Sequence, residues 1–270
     1  MKQYTKQNIT YSVAFFSSII TILLAFFGSD FTTLIDGYEI VFFMVYVLLN
    51  VLIVLKMNQK LEEVTLTISP KVTIDISYNN IFSQEGIIVI PVNEYFDTVV
   101  DDKIISSNTL HGKFIQFFFK KNLDCLDKQI EASLSSKEHK IDDTRIDGKN
   151  KKYPLGTVAI IKEKKKIFFL VSLTRFNKNH RAQISKIEYQ IVLVKLMKFI
   201  EEFSQGYKVN VPLLGGGHSG LNLEKQKLLE YLLTSINFEE KLTLKNGLHI
   251  VLSDRNKDSV DLNEIKYRYS

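Results

Sequence analysis

The residues VNVPLLGGGHSGL, positions 209–221, carry an apolar run into three consecutive glycines, a His-Ser pair and a fourth glycine. Without side chains at Gly215, Gly216, Gly217 and Gly220, backbone N–H groups can approach an anion closely at the end of a strand-like segment. The residues that follow, NLEKQKLLEYLL, have helical spacing, and Asn222 stands where it would cap them, adding the favourable end of a helix dipole. The stretch reads as a phosphate cradle lined by Gly215, Gly216, Gly217, His218, Ser219 and Gly220. Gly215, Gly217 and Gly220 literally satisfy G-x-G-x-x-G. A dinucleotide fingerprint, however, belongs in the first strand–helix turn with several units after it, and only about fifty residues remain here. A Walker A loop is excluded, because Leu221 and Asn222 occupy the places of its Lys and Ser/Thr.

Including this one, four short runs of the chain are continuously apolar: Ile87–Ile90, Ile167–Val171, Val209–Leu214 and Leu248–Leu252. Continuous rather than alternating hydrophobicity marks strands covered on both faces. Helical patterns lie between them. Arg181–Phe203 sets Ile184, Ile187, Ile191, Val194 and either Met197 or Lys198 at three- and four-residue steps, and Lys113–Leu134 and Leu223–Leu233 are also helix-like. Strand, helix, strand, helix, strand predicts an α/β/α sandwich. Ser135–Lys152 is charged and nearly free of apolar residues, which predicts a loop or mobile insertion. The KEKKK run at 162–166 reads as a solvated hairpin turn rather than a nucleic-acid patch, and the polar tail from Asp254 as peripheral.

Candidate chemistry also gathers in IIVIPVNEYFDTVVDDKIISSNTLHG, residues 87–112. Asn93 leaves the buried strand directly and Asp97 follows four residues later. Positions just past a strand's carboxyl end face the crevice where α/β sheets bind ligands, although an Asx turn explains an Asn there equally well. His111, beside Gly112 at a helix start, and His218 in the glycine loop are candidates for contact with a phosphate or carboxylate. No His or Cys pair has metal-ligand spacing, so no metal is expected. Cys125 is the single cysteine, which suits a reducing compartment, and no serine elbow is present.

The first 56 residues are of a different kind. Lys2, Lys6 and Lys56 balance Asp30, Asp36 and Glu39 there, so the whole net charge of +5 lies beyond them. Tyr11–Phe27 and Tyr38–Leu55 are each close to the roughly 20 residues that span a bilayer. A signal peptide is the rival for the first run, but the run is long, lacks an A-x-A site and is followed ten residues later by a second. The connecting loop Asp30–Gly37 holds acids only, whereas Lys2, Lys6, Lys56 and Lys60 flank the outer ends, so both termini are expected in the cytoplasm. Asn50 would bond either across this hairpin or between hairpins of neighbouring chains. Phe15, Phe16, Phe26, Phe27, Phe42 and Phe43 are expected to face lipid.

The strand IVIPVN paired with a late LLGGGHSG loop resembles the macro domain, the ADP-ribose-binding fold. IPVNEYFDT, ISSNTLHG and VPLLGGGHSGL, together with the two-span hairpin, resemble the membrane-anchored macro-domain effectors of Thoeris anti-phage systems. That resemblance implies a transmembrane hairpin over residues 1–60 and, over 61–270, a macro-like three-layer α/β/α sandwich with a mixed sheet. It matches Asn93 to the distal-ribose Asn and Gly215 to Gly220 to the diphosphate loop. Asn80 stands where macro domains carry the Asp that holds the adenine amino group; it lacks the charge but keeps an acceptor oxygen. The hydrolase-type signature is replaced by Glu94-Tyr95-Phe96-Asp97, which implies a binding protein rather than an enzyme. The resemblance further implies a ligand, histidine-ADP-ribose or a related ADP-ribose derivative, made from NAD by a Toll/interleukin-receptor (TIR) partner. On binding it the chains would self-associate and disrupt the bacterial inner membrane, with no cofactor. Two alternatives are a membrane-tethered ADP-ribosyl hydrolase, with Asp97 or His218 activating water, and a passive reader of ADP-ribosylated proteins.

Overall fold

The computed structural model describes residues 2–69, 71–177, 181–217, 219–238 and 242–269. His218 therefore lies outside the described residues. The chain forms two compact units, one holding residues up to Leu61 with Asp261–Arg268, the other holding Glu62–Val260.

The first unit is a helical hairpin, α1 (Gln3–Ile35) and α2 (Glu39–Met57). Both are long and apolar enough to cross a membrane. Their apolar side chains point outward, Phe26 and Ile40 being 80% and 76% exposed, the reverse of a soluble core helix. Polar groups pair between the helices: Ser12 Oγ donates to Asn50 Oδ1 at 2.7 Å and Asn8 Nδ2 to Asn58 Oδ1 at 3.0 Å, so Asn50 bonds across its own hairpin. Phe16 stacks edge-on against Tyr46 and Phe31 against Phe42. Phe16 and Phe42 are thus interhelical contacts rather than outward bulk. The connecting loop is shorter than the acidic stretch suggested. After a break at Gly28, α1 resumes to Ile35, with Thr33 Oγ1 bonding back to Ser29 O, and places Asp30 in a helix. The polar tail is not peripheral either. It forms α7 (Leu262–Tyr269), in which Leu262 and Ile265 are buried, and Asn263 Nδ2 donates to Gln59 O at 3.0 Å.

The second unit contains β1 (Glu63–Ser69), β2 (Val72–Tyr78), β3 (Ile87–Asn93), α3 (Leu110–Phe114), α4 (Leu123–Leu134), β4 (Lys140–Ile141), β5 (Lys151–Lys152), β6 (Val158–Glu163) and β7 (Lys166–Phe176). It continues with β8 (Ala182–Gln183), α5 (Lys186–Phe203), β9 (Val209–Pro212), α6 (Lys225–Phe238) and β10 (Leu248–Leu252). The main sheet has the order β1-β2-β10-β9-β3-β7-β6, with β8 added at the end of β7. Neighbours from β2 through β7 pair in parallel; β1 and β6 add antiparallel edges. The sheet is mixed, as expected. The four continuously apolar runs are β3, β7, β9 and β10, the centre of that order. Their alternate residues serve two layers. Phe168 and Leu170 of β7 join Phe114, Phe119 and Leu126 in one core, while Phe169 meets Phe199 of α5 on the opposite face at 5.2 Å.

In α5 the buried stripe is Tyr189, Val192, Leu193, Leu196, Met197 and Ile200, whereas Ile187 and Ile191 are 74% and 48% exposed. The expected stripe was rotated, because apolar residues occur nearly all round this helix and spacing alone does not choose among them. Its start is fixed at Ser185, which forms a capping box with Glu188. Helix α6 begins at Lys225, so Leu221–Glu224 intervene after the glycines and Asn222 is not its cap. The Lys113–Leu134 pattern is divided by a π-turn over Ile115–Phe119.

Candidate functional site

Because β2, β10, β9 and β3 run parallel, their carboxyl ends share one edge of the sheet. Asn79 and Asn80 follow β2, the glycine loop follows β9, and Asn93 ends β3, so the structure brings the three expected segments to that edge.

The glycine loop is built on α5. Tyr189 OH donates to Leu214 O at 2.9 Å, and a Cβ on Gly215, whose φ is +76°, would lie 3.2 Å from the Tyr189 ring. At Gly220, φ +70°, a Cβ would meet Ala182 O at 2.6 Å. Those two glycines are explained by the protein. Ser219 is buried and closes the loop, its Oγ donating to Gly215 O at 2.8 Å. Gly216 and Gly217 are different: a Cβ at 216 would have its nearest neighbour at 3.4 Å, and at 217 none within 4 Å. Neither has positive φ. Gly216 N donates weakly to Leu213 O, and the N–H groups of Gly215 and Gly217 have no protein acceptor among the described residues. Among the described residues the loop therefore presents open space at Gly217 and backbone donors without a protein acceptor, the requirement for holding an anion on the backbone. With α6 starting at Lys225, this rests on the loop itself and not on a helix end.

Asn93 is 3% exposed and forms an Asx turn, its Oδ1 accepting from Tyr95 N at 3.0 Å and from Asp97 N at 3.4 Å, its Nδ2 donating to Asp97 Oδ2 at 2.9 Å. Only one amide N–H remains to offer. Asp97 is fully buried and also accepts from Arg145 Nη2 (2.6 Å) and Lys149 N (2.8 Å). It organises the crevice wall through protein contacts. The segment Ser135–Lys152, far from being free, is pinned here: β4 pairs with β5, Tyr95 OH donates to Asp142 Oδ2 at 2.7 Å, and the Arg145 guanidinium lies 3.7 Å over the Tyr95 ring. Sequence reasoning missed Arg145, Tyr95 and Lys149, since nothing local marks one Arg in a charged segment as the partner of an Asp 48 residues away.

Asn80 is exposed, and its Oδ1 accepts from Phe82 N at 3.0 Å, capping the short turn Ile81–Ser83. His111 is buried in α3, where desolvation first and the Lys149 charge second push its pKa down to about 3, against a hydrogen bond to the Asp97 main chain. It is neutral near pH 7 and carries no positive charge for a phosphate. Gly112 is needed for packing, as a Cβ there would lie 2.3 Å from Ser106 O. Among the described residues no group of His, Cys, Asp and Glu is arranged to hold a metal ion.

The family profile described as "Thoeris protein ThsA, Macro domain" matches residues 74–253. The Thoeris protein ThsA of Bacillus amyloliquefaciens (strain Y2) is 36% identical over 131 residues, which is 48% of this chain and 43% of that relative's length. In fold, the chain resembles an Oceanobacillus iheyensis macrodomain solved with ADP (TM-score 0.53, 13% identity, 76% of this chain and 96% of that one). A mutant of that macrodomain solved with ADPR gives TM-score 0.53 at 12% identity, over 76% and 98%. The mixed sheet, its carboxyl-edge loops and the profile match agree, and the chain belongs to the Thoeris ThsA macro-domain family.

Proposed function

We propose that this protein is a membrane-embedded anti-phage effector that binds an ADP-ribose-type signal and does not turn it over. The observation that carries the reading is the glycine loop at the sheet's carboxyl edge, with N–H groups that have no protein acceptor among the described residues and open space at Gly217, in a chain that also holds two membrane-length apolar helices. The diphosphate lies on the loop and Asn93 donates its remaining N–H to the distal ribose. The full burial of Asp97 and its commitment to Asn93, Arg145 and Lys149 support binding over hydrolysis, because a base that activates water must be in contact with it. By the positive-inside bias the hairpin sits in the inner membrane with both termini cytoplasmic. A TIR-domain partner supplies the signal from NAD, histidine-ADP-ribose being the favoured form; ligand binding drives self-association, and the clustered hairpins breach the bilayer. Such gating needs a ligand preference for the assembled state, about 5.5 kcal/mol to move it from 1:99 to 99:1.

Calorimetry on the full chain in detergent, with ADP-ribose and histidine-ADP-ribose, tests the site. Binding of at least one is expected, with Asn93→Ala weakening it by about 1–3 kcal/mol. Absence of binding, or release of free ADP-ribose from the conjugate during the titration, overturns the reading.

A further inference from the structure

We propose that Arg145 is a positioning residue for Asn93, so that the insertion carrying β4 and β5 belongs to the ligand site; this rests on the crevice being an ADP-ribose site. An amide placed between donors and acceptors has one favourable orientation. Asn93 Oδ1 faces two backbone N–H groups, those of Tyr95 and Asp97, and Nδ2 faces Asp97 Oδ2. A flipped amide would set N–H against N–H. The orientation is completed by Asp97 Oδ2 as the acceptor for Nδ2, and a carboxyl group at full burial is costly to hold in place unless it is paired. Arg145 supplies the pairing, on the same oxygen that holds Asn93. The guanidinium is itself fixed by donating to Lys149 O at 2.5 Å and by lying over the Tyr95 ring. It is 6% exposed, so solvent does little to screen the pair.

The same turn stores strain. Phe96, between Tyr95 and Asp97, has φ +52° and is fully buried, a conformation that a bulky residue keeps only where its surroundings impose it. Tyr95 tied to Asp142, Asp97 tied to Arg145 and Lys149, and Tyr153 N donating to Glu94 O at 2.9 Å are those surroundings. The insertion thus grips the turn at Glu94, Tyr95 and Asp97. It also dictates the ligand chemistry opposite Asn93: the meeting atom is an acceptor, a ribose hydroxyl or phosphate oxygen, because Asn93 has no lone pair left to give.

Two measurements on the full chain decide this. Deuterium exchange reads the Tyr95 and Asp97 amides without any ligand; Arg145→Met is expected to speed their exchange at least tenfold while the thermal midpoint of the sheet stays within a few degrees. Calorimetry with ADP-ribose reads the consequence: Arg145→Met weakens binding about tenfold in the native background and less than twofold in Asn93→Ala, since a residue acting through Asn93 has nothing to position once it is gone. Equal losses in both backgrounds, or unchanged exchange, overturn the proposal. If Arg145→Met does not fold, Arg145→Lys, which keeps the charge and loses the fork, carries the same comparison with an expected loss of at least threefold. Should the native protein bind no ADP-ribose, the ligand reading fails, and the exchange result still decides whether Arg145 holds the Asn93 turn.

Discussion

At position 216 a side chain has room, with Leu213 O as nearest neighbour at 3.4 Å and no positive φ to violate. Gly216→Glu is therefore expected to fold with an unchanged thermal midpoint and to lose at least tenfold in calorimetric affinity for ADP-ribose, its carboxylate occupying the anion's place. Gly220→Ala should do the opposite. Its Cβ meets Ala182 O at 2.6 Å with φ at +70°, so denaturant titration should show a loss of about 1–3 kcal/mol. His111 gives a pH signature. Unfolded, it takes a proton near pH 6.5; folded, burial holds it neutral to about pH 3. The unfolded state binds more protons in that window, so stability is full above pH 6.5 and falls below it, by up to about 1.4 kcal/mol per pH unit from this residue. His111→Asn should flatten the stability slope between about pH 6 and pH 4; an unaltered slope would mean that the ring is reached by solvent. His249, also pushed down by burial first, leaves a residual slope. The placement of Asn93 and the glycine loop at the sheet's carboxyl edge was legible because strand ends and glycine runs are local signals. The engagement of Asp97 was not, since Arg145 comes from a distant insertion, nor was the packing role of Gly112.

Among the elements, the buried parallel strands were the most legible, because cover on both faces writes a continuous apolar run. β1 and β2 escaped notice for the converse reason: they lie at and next to the edge, and β2 alternates buried Val72, Ile74 and Ile76 with more exposed neighbours. For α5, spacing identified a helix but misplaced its buried stripe. The structure turns that difference into a test. Leu193→Ala, at a fully buried position, should cost about 2–5 kcal/mol, while Ile191→Ala, at 48% exposure, should cost less than about 1 kcal/mol in the same denaturant titration. A larger loss at Ile191 would restore the stripe read from spacing. The Ser135–Lys152 segment shows the limit of composition: it reads as a loop or mobile insertion because its few anchors, Arg145 above all, are polar and make their contacts with β3's outgoing turn rather than with an apolar core.

For the whole molecule, the proposed effector role requires that ligand binding in the α/β unit be converted into membrane damage by the hairpin. Leu48 is 56% exposed on α2, so an Arg there faces the surrounding medium; on insertion scales it costs about 2.5–3.5 kcal/mol at mid-span. Leu48→Arg should leave calorimetric affinity for ADP-ribose ligands intact while removing membrane activity, separating an effector from an anchored reader. Release of a trapped dye from liposomes carrying the full chain, followed as histidine-ADP-ribose is added, is the decisive experiment for that role. An effector gives tight vesicles without ligand, release on addition, and no release for Gly216→Glu or Leu48→Arg. Vesicles that stay sealed while the ligand is bound, or that leak equally without it, would contradict that role.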